Sequence, residues 1–374
     1  MERERDMIYL DHNATAPILP AAAEAVRSAL AIVGNASSVH RAGRGMRRVI
    51  EDAREVVAAL VGGKASGVVF TSGGTEANNL ALGGVERARV LVSAIEHPSV
   101  LGARLDAETV RVGRDGVVDL DALRRQLAAG ARPALVSLML ANNETGVIQP
   151  VREAAEIAHE FGALVHCDAV QAVGRMPVDM CALGVDMLSM SSHKIGGPPG
   201  VGALVLADGV EIRPLIQGGG QERRRRAGTE NAPGIAGFGA AAAALPRETA
   251  TLSALRDGLE RDLTAAVPLA RIFGVHAPRL PNTTCIAMPG VQSETQVMAF
   301  DLEGFAVSAG AACSSGKVEA SHVLRAMGVG EAEARTAIRV SLGWQTTADD
   351  VARFVEAWTR LYRRLGLPSV GSAA

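Results

Sequence analysis

The chain is poor in cysteine. Its 374 residues hold four, at Cys167, Cys181, Cys285 and Cys313, with no CxxC pair and no zinc-ligand spacing. A disulfide framework and a structural zinc site are thereby excluded, and reduced thiols are expected. Net charge is also missing: 38 Lys and Arg against 40 Asp and Glu leave −2. Nothing draws the chain as a whole toward nucleic acid or an anionic membrane. No apolar run reaches the ~20 residues needed to cross a bilayer. The charged start Met1-Glu-Arg-Glu-Arg-Asp6 has no apolar signal core. These absences point to a cytoplasmic protein without a membrane or direct nucleic-acid partner.

What is present is a large apolar content, 48% hydrophobic residues, enough for a sizeable core and two domains. Short apolar runs alternate with Ala/Leu/Arg/Glu stretches. Val68–Phe70, Arg89–Val92, Ala134–Leu138, Leu164–Val165, Met187–Leu188 and Gly202–Leu206 read as strands. Pro20–Leu30, Arg44–Val61, Thr75–Leu82, Asp119–Ala129 and Val151–Phe161 read as helices. Apolar residues run continuously along these strands rather than alternating, which implies an α/β domain with a mainly parallel sheet covered by helices on both faces. Beyond it come a long helix from Ala240 to Leu263, strands at Ile272–Phe273, Thr284–Met288 and Ala337–Leu342, and a terminal helix from Thr347 to Leu365. The expected division is a large domain over 13–250 and a smaller α+β domain over 251–374, joined by 1–12. Ser369–Ala374 reads as a loose tail.

Several loops carry chemistry. Lys194 follows the apolar run Met187-Leu-Ser-Met-Ser-Ser-His193, and an ammonium at an interior strand end is costly unless paired or neutralised. A lysine with a lowered pKa can condense with a carbonyl cofactor. Leu164-Val-His-Cys-Asp168-Ala-Val-Gln171 is a second apolar strand ending in a carboxylate. Pyridoxal phosphate needs that pair, a lysine for its aldehyde and an acid for its pyridinium nitrogen. Thr71-Ser-Gly-Gly74-Thr75 opens a helix with free N–H groups, a seat for phosphate, although any capped helix start offers the same groups. No lysine follows in the P-loop position. His97, before Pro98, reads either as a ring stacked on a flat cofactor or as a histidine at the start of a helix. Asn142-Asn143 is either turn chemistry or a donor to a substrate carboxylate. All these loops follow strands of one parallel sheet, the edge where ligands bind in open α/β folds.

Downstream, Cys313 lies among small residues in Ser308-Ala-Gly-Ala-Ala-Cys313-Ser-Ser-Gly-Lys317, which suggests an accessible thiol, while Cys167, Cys181 and Cys285 read as packed. Arg339 alternates with Ile338 and Val340 and is either a surface arginine or a bidentate carboxylate clamp. The basic loop Gly218–Asn231 is either a solvated charge run or a segment reaching a phosphate in another subunit. Its arginines lack interleaved aromatics, so it is not a nucleic-acid site.

Together, Tyr9-Leu-Asp-His-Asn-Ala-Thr15, Thr71-Ser-Gly-Gly-Thr-Glu, Glu96-His97, Asn142-Asn-Glu-Thr-Gly, His166-Cys-Asp168-Ala-Val-Gln171, Ser191-Ser-His-Lys194, Arg226-Ala-Gly-Thr229, Cys313, Ser321-His-Val-Leu-Arg and Arg339-Val-Ser-Leu-Gly resemble the cysteine desulfurases of the class V aminotransferase family. The likeness covers nearly the whole chain and implies the fold type I architecture of pyridoxal phosphate (PLP) transferases. By this resemblance Lys194 would hold PLP as a Schiff base, Asp168 would pair with its ring nitrogen, Gln171 would contact its ring hydroxyl and His97 would stack on it and act in catalysis. Gly74, Thr75, Ser191 and His193 would hold the phosphate, with Thr229 reaching in from the second subunit of a homodimer. Asn13, Asn143 and Arg339 would orient L-cysteine, and Asn143 would also contact the cofactor. Cys313 would take the sulfur as a persulfide, leaving alanine. The stretch after Cys313 is similar to the longer-loop branch, in which the cysteine swings out to a sulfur acceptor, an iron–sulfur scaffold or a tRNA-thiolation protein. No metal is implied beyond contact of Cys313 with a nascent iron–sulfur cluster. Departures from the family pattern fall at Gly310-Ala-Ala-Cys-Ser-Ser, Gln217 and Ala16, and none removes a named catalytic group. A selenocysteine lyase, or another class V lyase or aminotransferase, needs the same set without Cys313.

Overall fold

The computed structural model describes residues 7–130, 133–246, 249–310 and 320–366. Its strands are β1 (Ile8–Tyr9), β2 (Val68–Thr71), β3 (Arg89–Ser93), β4 (Glu108–Val110), β5 (Ala134–Met139), β6 (Leu164–Asp168), β7 (Met187–Ser191), β8 (Gly202–Leu206), β9 (Arg271–Ile272), β10 (Thr283–Ala287), β11 (Phe305–Ala306), β12 (Ser308–Ala309) and β13 (Ala337–Ser341). Seven of them form one sheet in the order β2-β8-β7-β6-β5-β3-β4. The pairings β3–β4, β3–β5, β5–β6 and β6–β7 are parallel. Only β8 runs the other way, antiparallel to both β2 and β7. Hence β2, β3, β5, β6 and β7 all end on the same edge, where ligands bind in such sheets.

Both faces of this sheet are covered, which explains the continuous apolar runs. Val68 and Phe70 belong to the core on one face and Val69 to the core on the other. On the first face, helices Pro20–Leu30 and Arg41–Leu60 pack against Ala232–Ala243. That last helix is almost all Ala and Gly, which brings the axes close. A Cβ on Gly239 would stand 2.8 Å from the Ala53 Cα, and one on Gly237 would stand 2.6 Å from Val26 Cγ2. The long helix expected over Ala240–Leu263 is instead two, Ala232–Ala243 and Thr249–Ala266. Pro246 is the reason: it has no N–H to donate and pushes Leu245 away from helical geometry.

A second sheet, β12-β13-β10-β9, is antiparallel, with Cys285 opposite Arg339. Strand β1 pairs with β11 beside it. The core here is aromatic: Phe354 lies between Phe300 and Phe305, with ring centroids 5.1 and 5.6 Å apart, and Trp358 is fully buried. The helix Ala348–Leu365 covers this core and starts on a capping box between Thr347 and Asp350. Cys167 and Cys285 are buried as expected. Cys181 is not: it is exposed in the short helix Met180–Leu183, because a four-residue helix at the surface leaves its first turn open. Cys313 and the tail Ser369–Ala374 lie outside the described residues. Among the described residues no helix is long and apolar enough to cross a membrane, and no cluster of three His, Cys, Asp or Glu side chains could hold a metal ion.

Candidate active site

The shared strand edge encloses a cavity of about 230 Å³. Strand β2 delivers Gly74 and Thr75 to it, β6 delivers Asp168 and Gln171, and β7 delivers Ser191, His193 and Lys194. His97 and Asn143 arrive on the loops after β3 and β5. These nine expected site residues therefore line one space. Asn13 and Arg339 stand beside it, and Thr229 is exposed elsewhere on the chain.

Gly74 is the first residue of an 11-residue helix, so its turn presents unpaired N–H groups and the positive end of the helix dipole. Glycine is needed there because a Cβ would stand 2.9 Å from Val170 Cγ2, on the loop leaving β6. The turn is braced from below: Glu76 accepts from the Ser72 amide at 2.8 Å and pairs with Arg226 of the basic loop at 2.9 Å. That loop is held, not free. Buried Glu222 accepts two hydrogen bonds from Arg54 at 2.7 and 2.9 Å and one from the Phe70 amide at 2.9 Å.

Asp168 is buried at the end of β6. Its oxygens accept from Asn78 Nδ2 at 2.7 Å and the Val170 amide at 2.9 Å. Asn78 also donates to Ser99 Oγ at 2.8 Å, and Ser99 in turn meets His97 Nδ1 through its hydroxyl at 2.8 Å and its amide at 3.1 Å. An amide can only donate, so Nδ1 is an acceptor and neutral His97 carries its proton on Nε2. The ring opens onto the cavity, yet the walls around it depress its pKa, chiefly by desolvation. Asn78 and Ser99 carried no sequence signal. Asn78 lies four residues after Gly74 on the same helix face, the only local hint that it points the same way.

Lys194 sits in a single 3₁₀ turn after β7. Its amine donates to the Asn13 and Ala14 carbonyls and, among the described residues, to no carboxylate. Burial, then the charges of Arg339 and Arg175, lower its pKa to about 7. His193 falls to about 4, mainly through burial. Arg339 lies mid-strand in β13 and is buried, so it is not a surface arginine. It donates to Asp11 Oδ1 at 2.8 Å and to the Asn143 carbonyl at 2.9 Å, while its buried Nε has no acceptor among the described residues. Asn13 is spent on structure: Nδ2 donates to Thr283 Oγ1 at 2.9 Å and the Asn143 carbonyl at 3.2 Å, and Oδ1 accepts from Asn282 at 3.1 Å.

This donor set fits PLP. A neutral-leaning lysine, a buried carboxylate and a glycine-opened helix start suit the aldehyde, ring nitrogen and phosphate in turn. Asn78 Oδ1 and Arg339 Nε remain buried without partners among the described residues.

Comparison with known proteins agrees with this geometry. Residues 8–354 match the family model for class-V aminotransferases. A cysteine desulfurase of Cereibacter sphaeroides is 46% identical, covering 94% of each chain. A cysteine desulfurase IscS of Dictyoglomus turgidum is 41% identical over 98% of this chain and 96% of its own. A NifS-like protein from Rickettsia africae superposes with a TM-score of 0.89 at 38% identity, covering 96% of this chain and 99% of that one. The chain belongs to the class-V aminotransferase family, whose cofactor is pyridoxal phosphate.

Proposed function

We propose that the chain is a PLP-dependent cysteine desulfurase, converting L-cysteine to L-alanine and moving the sulfur to Cys313 as a persulfide. The observation that carries this is Lys194 and Asp168 at the ends of adjacent parallel strands, lining one cavity with a glycine-opened helix start. When bound, PLP supplies an electron sink that loosens bonds at the substrate's α- and β-carbons. Lys194, with a pKa of about 7, exchanges its proton near neutrality and acts as the base at Cα. Asp168, anchored by Asn78, keeps the ring nitrogen protonated. His97 presents Nε2–H to the substrate. Gly74, Thr75, Ser191 and His193 hold the phosphate, and Gln171 the ring oxygen. Arg339 uses its remaining N–H groups, with Asn143, to seat the substrate carboxylate. At sulfur, the Cys313 thiolate forms the new S–S bond as the Cβ–S bond breaks. The electron pair returns to carbon, which takes up a proton to give alanine.

We extend the reading to a cytoplasmic homodimer that hands sulfur to an iron–sulfur scaffold or tRNA-thiolation protein. Support for the dimer comes from Leu30, Val33 and Val39, which are 69, 87 and 87% exposed, and from Thr229, which is exposed and does not line its own chain's cavity. The division into 13–250 and 251–374 with 1–12 is supported by separate apolar cores around the two sheets and by β1 pairing with β11.

The test is incubation with L-cysteine, with alanine and protein persulfide measured together. Cys313→Ser should keep the cofactor's visible absorption yet form no persulfide and release little alanine. Normal alanine release by that variant would replace the desulfurase with a lyase that needs no protein thiol.

A further inference from the structure

Arg175 is buried behind the cofactor cavity, 7% exposed, and among the described residues no acid pairs with it. The other deeply buried arginines have one: Arg54 pairs with Glu222, Arg279 with Glu260 and Arg339 with Asp11. Among the described residues Arg175 donates only to neutral oxygens. Nη1 reaches the Gln171 carbonyl at 2.7 Å and Gln171 Oε1 at 3.0 Å, and Nη2 reaches the His12 carbonyl at 3.0 Å. A guanidinium held this way keeps a desolvation penalty that its partners do not offset.

Its neighbour explains the arrangement. A guanidinium can only donate, so the Gln171 atom facing it must be oxygen. That places Nε2 on the opposite side. One of its N–H groups goes to the Asn13 carbonyl at 3.0 Å. The second is left for the cavity that Gln171 lines. We infer that Arg175 is a positioning residue for the cofactor: it locks the Gln171 amide donor-outward and holds a positive charge that anionic PLP neutralises. The inference rests on PLP occupying this cavity.

Arg175 also shares with Lys194, His12 and Trp344 a smaller cavity of about 40 Å³. Among the described residues, the charged and titratable groups facing Lys194 are Arg339, Arg175, Asp11, Asp168, His97 and His193. Removing one cation from this set favours a proton on the lysine nitrogen. Losing Gln171's donation to the ring oxygen acts in the same direction.

The experiment titrates PLP into apo protein and follows absorbance, with thermal melting of the apo form alongside. Arg175→Met should weaken PLP by about tenfold, the scale of one charge-assisted hydrogen bond. It should also raise the pH midpoint of the bound cofactor's absorption. Arg175→Lys should keep that midpoint, since the charge remains, and weaken PLP less. Gln171→Glu gives Arg175 a carboxylate, so the apo form should melt higher while PLP binds more weakly. Unchanged affinity and midpoint in Arg175→Met would overturn the inference and leave the desulfurase reading standing. Should that variant not fold, Gln171→Glu decides: a lower apo melting point, or PLP affinity equal to wild type, overturns it. Wild-type protein that bound no PLP would remove the reading itself.

Discussion

The two sheets contribute to the site in different ways. The seven-stranded sheet offers strand ends: Asp168 is the last residue of β6, and Gly74, His97, Asn143 and Lys194 each stand just past a strand. The small sheet offers Arg339 from the middle of β13, buried and paired with Asp11 near the other end of the chain. In the proposed reading the first arrangement serves the cofactor and the second the substrate's carboxylate. Mutations on the two sides should therefore separate, the former in kcat and cofactor retention, the latter in KM.

Lys194→Ala sets the largest expected effect. It removes both the PLP attachment and the base at Cα, so turnover should fall by about 10³-fold or more. No borohydride-reducible PLP adduct should remain. An adduct surviving in this variant would move the attachment to another lysine. The intact enzyme should show the same residue in its pH behaviour. The lowered pKa of Lys194 means that the amine is largely neutral above about 7 and protonated below it. Only the neutral amine condenses with an aldehyde, so apo protein should take up PLP faster as pH rises through that value. A flat profile between pH 6 and 8, on the order of one unit either side, contradicts the assignment.

Asp168→Asn comes next. The side chain keeps its shape and PLP should still bind. The charge that holds the ring nitrogen protonated is lost, so kcat should drop by about 10²-fold. Near wild-type turnover would mean that the carboxylate is structural. On the other side of the comparison, Arg339→Ala should raise KM for cysteine by about 30-fold, the cost of removing a charged clamp from a carboxylate, and disturb PLP affinity far less, its effect on the cofactor side being a higher Lys194 midpoint. A loss confined to kcat would place Arg339 with the cofactor set and dissolve the distinction between the sheets.

The same contrast governs what the sequence disclosed. Groups at strand ends were legible because glycine, polar turns and the end of an apolar run punctuate them, as at Phe70-Thr71-Ser-Gly-Gly74 and Ser191-Ser-His-Lys194. Sheet direction, helix Pro20–Leu30 and the continuous strands were legible for the same local reasons. What stayed hidden depends on partners distant in sequence. Asn78 looks like any polar residue in a helix until Asp168, 90 positions away, accepts its hydrogen bond. Glu222 looks like part of a charge run until Arg54 and the Phe70 amide claim its oxygens. Arg175 carried no sequence signal, and tertiary packing buries it. The missed break near Pro246 is different: it was local, and the Ala-rich pattern on either side masked it.

Asp11 offers the finest test of the contrast, with the smallest expected effect. Its Oδ1 accepts from Arg339 at 2.8 Å and its Oδ2 from Ser308 Oγ at 2.7 Å. Arg339 therefore awaits its substrate already balanced by one carboxylate. Two of its donor groups are committed, to Asp11 and the Asn143 carbonyl, while buried Nε remains for an incoming carboxylate. Asp11→Asn keeps an oxygen in place as acceptor and removes the competing charge. Cysteine should then bind more tightly, with KM lowered by about two- to fivefold, the worth of a modest electrostatic change at a partly screened pair. PLP affinity should change less than KM, because the groups that hold the cofactor lie on the other sheet, while loss of a carboxylate facing Lys194 moves the lysine's midpoint slightly down. A rise in KM of the same size would mean that Asp11's charge is what keeps the guanidinium in register, and that the small sheet's contribution is an ion pair acting as a unit rather than an arginine acting alone.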